Sequence, residues 1–182
     1  MTTITQGRHA EVVKAILALA PDGVGFVPSN SIAPIIKSLV AHGEQADLKK
    51  VYPLSREEEA VGVMGAYPFA GQFGVLVMQD NGFGNALTAL TTLAVSYHLP
   101  LLIVANTRGG LGEYNSMIHS ISAPVPELLR STQIPVFTVD RRNTPEDWGT
   151  TVREAGNHAR MTYRPVVVLM EFFDGRDEKA KA

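Results

Sequence analysis

Three stretches of this sequence combine residue types and spacing that could do chemistry. The first is Ser55-Arg56-Glu57-Glu58-Glu59-Ala60-Val61-Gly62, where three consecutive carboxylates open a segment that is otherwise small and apolar. A solvated first helical turn would account for them, because the helix dipole favours acidic residues there. Ala60, Gly62, Gly65 and Ala66 suggest more, since a flat ligand or another backbone can approach such residues closely. A glutamate entering that helix from a strand end would sit in a ligand crevice. The second stretch is Gln79-Asp80-Asn81-Gly82-Phe83-Gly84-Asn85. Its glycines allow a tight turn, close approach of a ligand and a helix N-terminus aimed at it. The third runs from Thr107 to His119 and is rich in glycine. Arg108 and His119 could each contact an anionic substrate, or could each simply be solvated.

Alternating strands and helices would bring these stretches together. Apolar residues recur at helical spacing from Arg8 to Leu19. Gly23 to Val27 reads as a strand, Ser31 to Ala41 as a helix capped by Ser31, and Val51 to Leu54 as a strand. Arg56 to Tyr67 reads as a helix. The nearly continuous apolar run Gly74 to Gln79 suits a parallel strand buried on both faces. A helix from Asn85 to Tyr97, a strand from Leu101 to Ala105 and a long loop from Thr107 to Ala123 follow. A short helix, Pro124 to Ser131, precedes a strand, Val136 to Val139. Thr144 and Pro145 then read as the N-cap and first residue of a helix reaching Thr162. Val166 to Met170 is the last strand, and the charged tail from Asp174 is expected to fray. The expected fold is therefore α/β, a parallel sheet of about six strands with helices on both faces. In such sheets ligands bind beyond the carboxyl ends of the strands, where all three stretches lie.

Composition excludes several classes. The 182 residues suit one ordinary domain. With 45% hydrophobic and 19% charged residues the chain is globular, not disordered. A net charge of -2, without a basic stripe, gives no case for a nucleic-acid partner. The lack of cysteine removes disulfides, thiolate catalysis and cysteine-bound zinc. The histidines do not cluster with carboxylates at metal-ligand spacing, so no metal site is expected, and His9, His42, His98 and His158 read as structural or exposed. Met1 to Gly7 is polar, with no apolar run of a signal peptide, and no segment is apolar enough to span a membrane. A cytoplasmic protein is expected. A dinucleotide site fits poorly. The third glycine of its fingerprint is Leu87 here, and no acidic residue ends the next strand to hold a ribose.

Taken together, Ser55 to Gly62, Gln79 to Asn85, Val27-Pro28-Ser29-Asn30-Ser31 and Thr107-Arg108-Gly109 resemble the pyrimidine-binding domain of thiamine diphosphate-dependent 2-oxo acid decarboxylases. That family includes enzymes acting on sulfopyruvate and phosphonopyruvate. The resemblance runs from about Arg8 to Met170 and implies a single pyrimidine-binding domain over residues 1–182. It further implies that thiamine diphosphate is activated by a glutamate. That residue would hydrogen-bond the N1' atom of the cofactor's aminopyrimidine and stabilise the tautomer that removes the C2 proton. The family's glutamate is followed three residues later by a small residue, which points to Glu57 with Ala60 after it. Gly65 falls one position earlier than the family's glycine, so Glu58 and Glu59 stay as alternatives. Asn81, Gly82, Phe83 and Asn85 are implied as cofactor-binding residues. Ser29, Asn30, Arg108 and His119 are implied as substrate-binding residues. Family members hold the diphosphate through Mg2+ on a second domain carrying Gly-Asp-Gly, a motif this sequence lacks. A β subunit would then hold the diphosphate and Mg2+, giving a hetero-oligomer. The alternatives are a regulatory subunit that keeps the fold for assembly, or a Rossmann-like nucleotide-binding domain.

Overall fold

The computed structural model describes residues 3–45, 48, 50–110 and 113–172. Six parallel strands form one sheet: β1 (Gly23–Phe26), β2 (Val51–Pro53), β3 (Gly74–Gln79), β4 (Leu101–Asn106), β5 (Val136–Val139) and β6 (Pro165–Met170). Their order is β2-β1-β3-β4-β6-β5. Every residue of β4 and β6 is buried, as expected of strands apolar along their whole length and covered on both sides.

Side-chain alternation divides the core in two. Val75, Val77, Leu102, Val104, Val166 and Val168 face a layer made by α1 (Thr3–Ala18), α2 (Ala33–Glu44) and α7 (Pro145–Thr162). Leu76, Met78, Ile103, Val167 and Leu169 face the layer of α3 (Glu57–Gly65), α4 (Phe83–Ala89) and α6 (Val125–Ser131). The chain passes from β1 outward to β2 and then back to β3 on the other side of β1. The strand order thus reverses between β1 and β3, which opens a crevice at their carboxyl ends.

The α7 cap matches its sequence signature. Thr144 accepts from the Asp147 N–H, the Asp147 carboxylate accepts from the Thr144 N–H, and Pro145 begins the helix. Other boundaries differ from expectation. Ser31 is not an N-cap. It lies within a 3₁₀ turn, Asn30–Ile32, and α2 begins at Ala33 with Pro34 in its first turn. Pro68 ends the regular helix early, and Tyr67–Ala70 forms a separate 3₁₀ turn after α3. The helix expected from Asn85 starts at Phe83 and widens into a π-helix over Leu90–Val95. There Thr91 and Thr92 return their hydroxyls to the carbonyls of Leu87 and Thr88. The long loop expected from Thr107 to Ala123 contains a helix, α5 (Ser116–Ser122). Asn115 caps it by accepting from the N–H groups of Met117 and Ile118. The tail expected to fray from Asp174 lies outside the described residues.

Candidate functional site at the carboxyl ends of the strands

The three consecutive glutamates have three different surroundings. Arg56, in extended conformation, is the N-cap residue of α3, so the glutamates occupy its first turn. Glu59 turns back along the chain, and its Oε2 accepts from the Ser55 N–H at 2.9 Å. It satisfies backbone just ahead of the helix. Glu58 is paired with Arg56, Nη1 to Oε1 at 3.7 Å, while its Oε2 is buried without a hydrogen-bond partner among the described residues. Glu57 alone reaches the glycine turn after β3. Its Oε2 accepts from Asn85 Nδ2 at 3.4 Å, and its side chain lies over Gly82 so closely that a β-carbon there would overlap it. Glycine at position 82 is therefore a requirement of space. A pocket of about 470 Å³, lined by Arg56, Glu58, Asn85, Thr88, Ala89 and Thr92, opens beside this contact.

The other residues implied for cofactor binding differ in exposure. Asn81 and Asn85 are exposed on the turn and at the start of α4. Phe83 is fully buried among Ala60, Val61 and Met64 on the α3 side of the sheet. From that position its ring supports the turn from beneath.

Of the residues implied for substrate binding, Ser29 is half-buried and donates from Oγ to Gln79 Oε1 at 2.9 Å, across the reversal between β1 and β3. Asn30 is exposed in the same loop. Arg108 is engaged by its own chain: Nε and Nη2 donate to the two carboxylate oxygens of Glu113 at 2.8 and 2.9 Å. The Glu113 side chain is only 2% exposed. Burial alone would raise its carboxyl. The Asn115 N–H and the Arg108 guanidinium outweigh that and hold it below the usual range. His119 is exposed on α5, and its side chain makes no hydrogen bond or ion pair among the described residues.

One residue that ties the site together was not singled out from sequence. Asp80 is fully buried; its Oδ2 accepts from the Arg108 N–H at 3.0 Å and its Oδ1 from Ser122 Oγ at 2.7 Å. It fastens the loop after β3 to the loop after β4 and to the end of α5. A carboxylate directly after a buried strand was the available signal, but its partners lie 28 and 42 residues away. Among the described residues no group of three or more His, Asp or Glu is placed to hold a metal ion. No described helix is long and apolar enough to cross a membrane.

A parallel α/β sheet carrying a glutamate against a glycine turn at its carboxyl edge defines the general class, and comparison with known proteins narrows it. No protein-family model matches the chain. The sulfopyruvate decarboxylase subunit alpha of Methanococcus maripaludis is 32% identical over 167 residues, covering 88% of this chain and 92% of that protein. The phosphonopyruvate decarboxylase of Streptomyces viridochromogenes is 24% identical over 112 residues, 62% of this chain and 27% of that protein. Among solved structures, a 2-oxoglutarate:ferredoxin oxidoreductase from Magnetococcus marinus superposes with a TM-score of 0.66. At 17% identity, it matches 91% of this chain and 28% of its own, and the likeness is one of fold. The chain belongs to the family of sulfopyruvate decarboxylase alpha subunits.

Proposed function

We propose that this chain is the pyrimidine-binding subunit, a single domain over residues 1–182, of a thiamine diphosphate-dependent decarboxylase. Its substrate would be an anionic 2-oxo acid such as 3-sulfopyruvate or 3-phosphonopyruvate. The observation that carries the proposal is the placement of Glu57, which alone among the three glutamates lies against Gly82 and Asn85. When bound, thiamine diphosphate supplies the electron sink that decarboxylation needs. The residues present fit the pyrimidine end of that cofactor, because a carboxylate is set beside a turn that no β-carbon obstructs. Glu57 would hold N1' of the ring and carry the proton at that atom. Asn85 keeps the carboxylate on the side of the glycine turn, and exposed Asn81 is available to the same ligand.

Ser29, Asn30, Arg108 and His119 would face the acidic substrate, for which charge-assisted donors are suited. Arg108 already gives Nε and Nη2 to Glu113, so an anion would meet its remaining N–H donors on a guanidinium whose charge Glu113 offsets in part. The diphosphate and its Mg2+ are assigned to a β subunit, since the chain lacks Gly-Asp-Gly. Relatives named as alpha subunits support such a partner.

The test is C2-proton exchange of thiamine diphosphate, followed by NMR in the assembled complex. Glu57→Gln keeps the shape of the side chain but cannot accept and return the proton. Exchange should slow by roughly a hundred- to ten-thousandfold, the usual worth of acid–base help. Glu58→Gln and Glu59→Gln should change it little. Normal exchange in Glu57→Gln, with slow exchange in a neighbour's variant, would move the role to that neighbour. Normal exchange in all three would leave the chain as a scaffold for assembly.

A further inference from the structure

Two carboxamides at the carboxyl ends of the two central strands have bonding capacity that the described chain does not use. Gln79 ends β3, Asn106 ends β4, and the two are paired in the parallel register. Alternation along the strands puts both on the face of Val75, Val77, Leu102 and Val104. Asn106 is 1% exposed, and its Oδ1 finds no hydrogen-bond partner among the described residues. Gln79 is half-buried; its Oε1 accepts from Ser29, and no described residue accepts from its Nε2. Most buried polar groups in folded proteins are paired, and an orphan amide oxygen is costly. The Ser29–Gln79 bond crosses the reversal of strand order, the place where sheets of this kind take their ligands. Gln79 also stands three residues before Gly82, which packs against Glu57.

Resting on the function proposed above, we infer that Gln79 determines specificity for the 2-oxo acid, its Nε2 donating to an oxygen of the substrate's acid head. Asn106 is its positioning residue. The Asn106 Oδ1 takes one Nε2 hydrogen once the amide turns toward it, and the other hydrogen is left for the substrate. A 2-oxo acid presents only acceptors at its carboxylate and keto oxygens, so the site must offer donors. The Ser29 hydroxyl could accept as readily as donate and would tolerate either orientation of the Gln79 amide. An acceptor on the Asn106 side selects the orientation with Nε2 toward Asn106 and the ligand.

The test uses the complex of this chain with its partner subunit, thiamine diphosphate and Mg2+, and 3-sulfopyruvate as substrate. Gln79→Glu keeps the shape but replaces the donors by a negative charge. KM should rise roughly ten- to a hundredfold with kcat changed much less. Cofactor affinity by calorimetry and Tm should both be retained. Gln79→Met, neutral and of similar length, should move KM in the same direction and guards against an effect of charge on folding. Asn106→Leu removes the orphan oxygen at similar size, so Tm should hold or rise while KM still increases. Unchanged KM in both Gln79 variants, with Asn106→Leu merely more stable, would mean that only solvent answers these amides, and would overturn the inference. A wild-type complex that turns over no 2-oxo acid would sink the proposed function instead, before any variant is made, and this inference with it.

Discussion

Glu57, Glu58 and Glu59 are chemically identical, yet one caps backbone, one pairs with arginine and one meets the glycine turn. These surroundings predict separable effects. Glu59→Ala should lower stability by about 1 kcal/mol, as losses of helix-terminal caps do, without touching proton exchange at the cofactor. Urea unfolding of the isolated chain measures it, with Glu58→Ala as the comparison. Gly82→Ala should act like Glu57→Gln, because the new methyl displaces the carboxylate. C2-proton exchange equal to wild type in Gly82→Ala would show that the contact does not position Glu57. His9 gives a prediction in pH. It is 6% exposed, packs on Phe172 at 4.6 Å between ring centroids, and neither ring nitrogen has a partner among the described residues. Burial pushes its pKa down to about 4 from 6.5. The folded chain thus keeps His9 neutral where the unfolded chain takes up a proton. Stability from this group is complete above pH 6.5 and is lost as pH falls toward 4, by on the order of 3 kcal/mol in all. In His9→Leu that part of the pH dependence should vanish, which unfolding midpoints across this range will report.

At the scale of elements, the site depends on loops anchored to one another. Asp80 joins the ends of β3 and β4 to α5 through two hydrogen bonds. Asp80→Ala would leave the Arg108 N–H without its acceptor, at a cost of about 1–3 kcal/mol. The loss should appear locally, as faster amide exchange over Arg108 and Met117 to Ser122, with β3 and β4 still protected. Equal protection throughout would deny Asp80 its anchoring part. Most elements could be read in advance because their signals are local. The apolar runs Gly74–Gln79 and Leu101–Ala105, and the Thr144-Pro145 helix start, act over a few residues. Helix α5 could not be read that way. Its seven residues make about two turns, too few for an apolar period to emerge, and only Ser122 among them is buried.

At the scale of the whole molecule, the proposed function divides one cofactor between two chains: this sheet would take the pyrimidine, and the sequence lacks Gly-Asp-Gly, the motif that the resemblance ties to the diphosphate. The expected outcome is weak binding of thiamine diphosphate by the isolated chain. Tight, Mg2+-dependent binding should arise only after the β subunit is added. Titration calorimetry with and without the partner measures both, and tight Mg2+-dependent binding by this chain alone would refute the division of labour. The ion pair between Arg108 and Glu113 belongs to the same scale, because the proposed anionic substrate would meet an arginine whose charge a carboxylate already offsets in part. Glu113→Gln should therefore lower KM for the anionic substrate in the complex, unless the arginine loses its position as well. Amide exchange at Arg108 tells these two outcomes apart.

By itself the sequence determined the parallel sheet, its two helical layers and the family to which the chain belongs. The signals for these are repeated along the chain, and each acts between near neighbours: apolar runs, helical periods, caps and glycine turns. Only the tertiary structure decided which glutamate meets the glycine turn, that Phe83 supports that turn from the core, and that Arg108 is already paired. It also set Gln79 beside Asn106, on strands whose last residues lie 27 positions apart in the chain and side by side in the sheet. The physical reason is that a side chain's chemistry depends on what packs against it. In a parallel sheet those neighbours come from successive strands, joined by crossovers far longer than any local pattern can span.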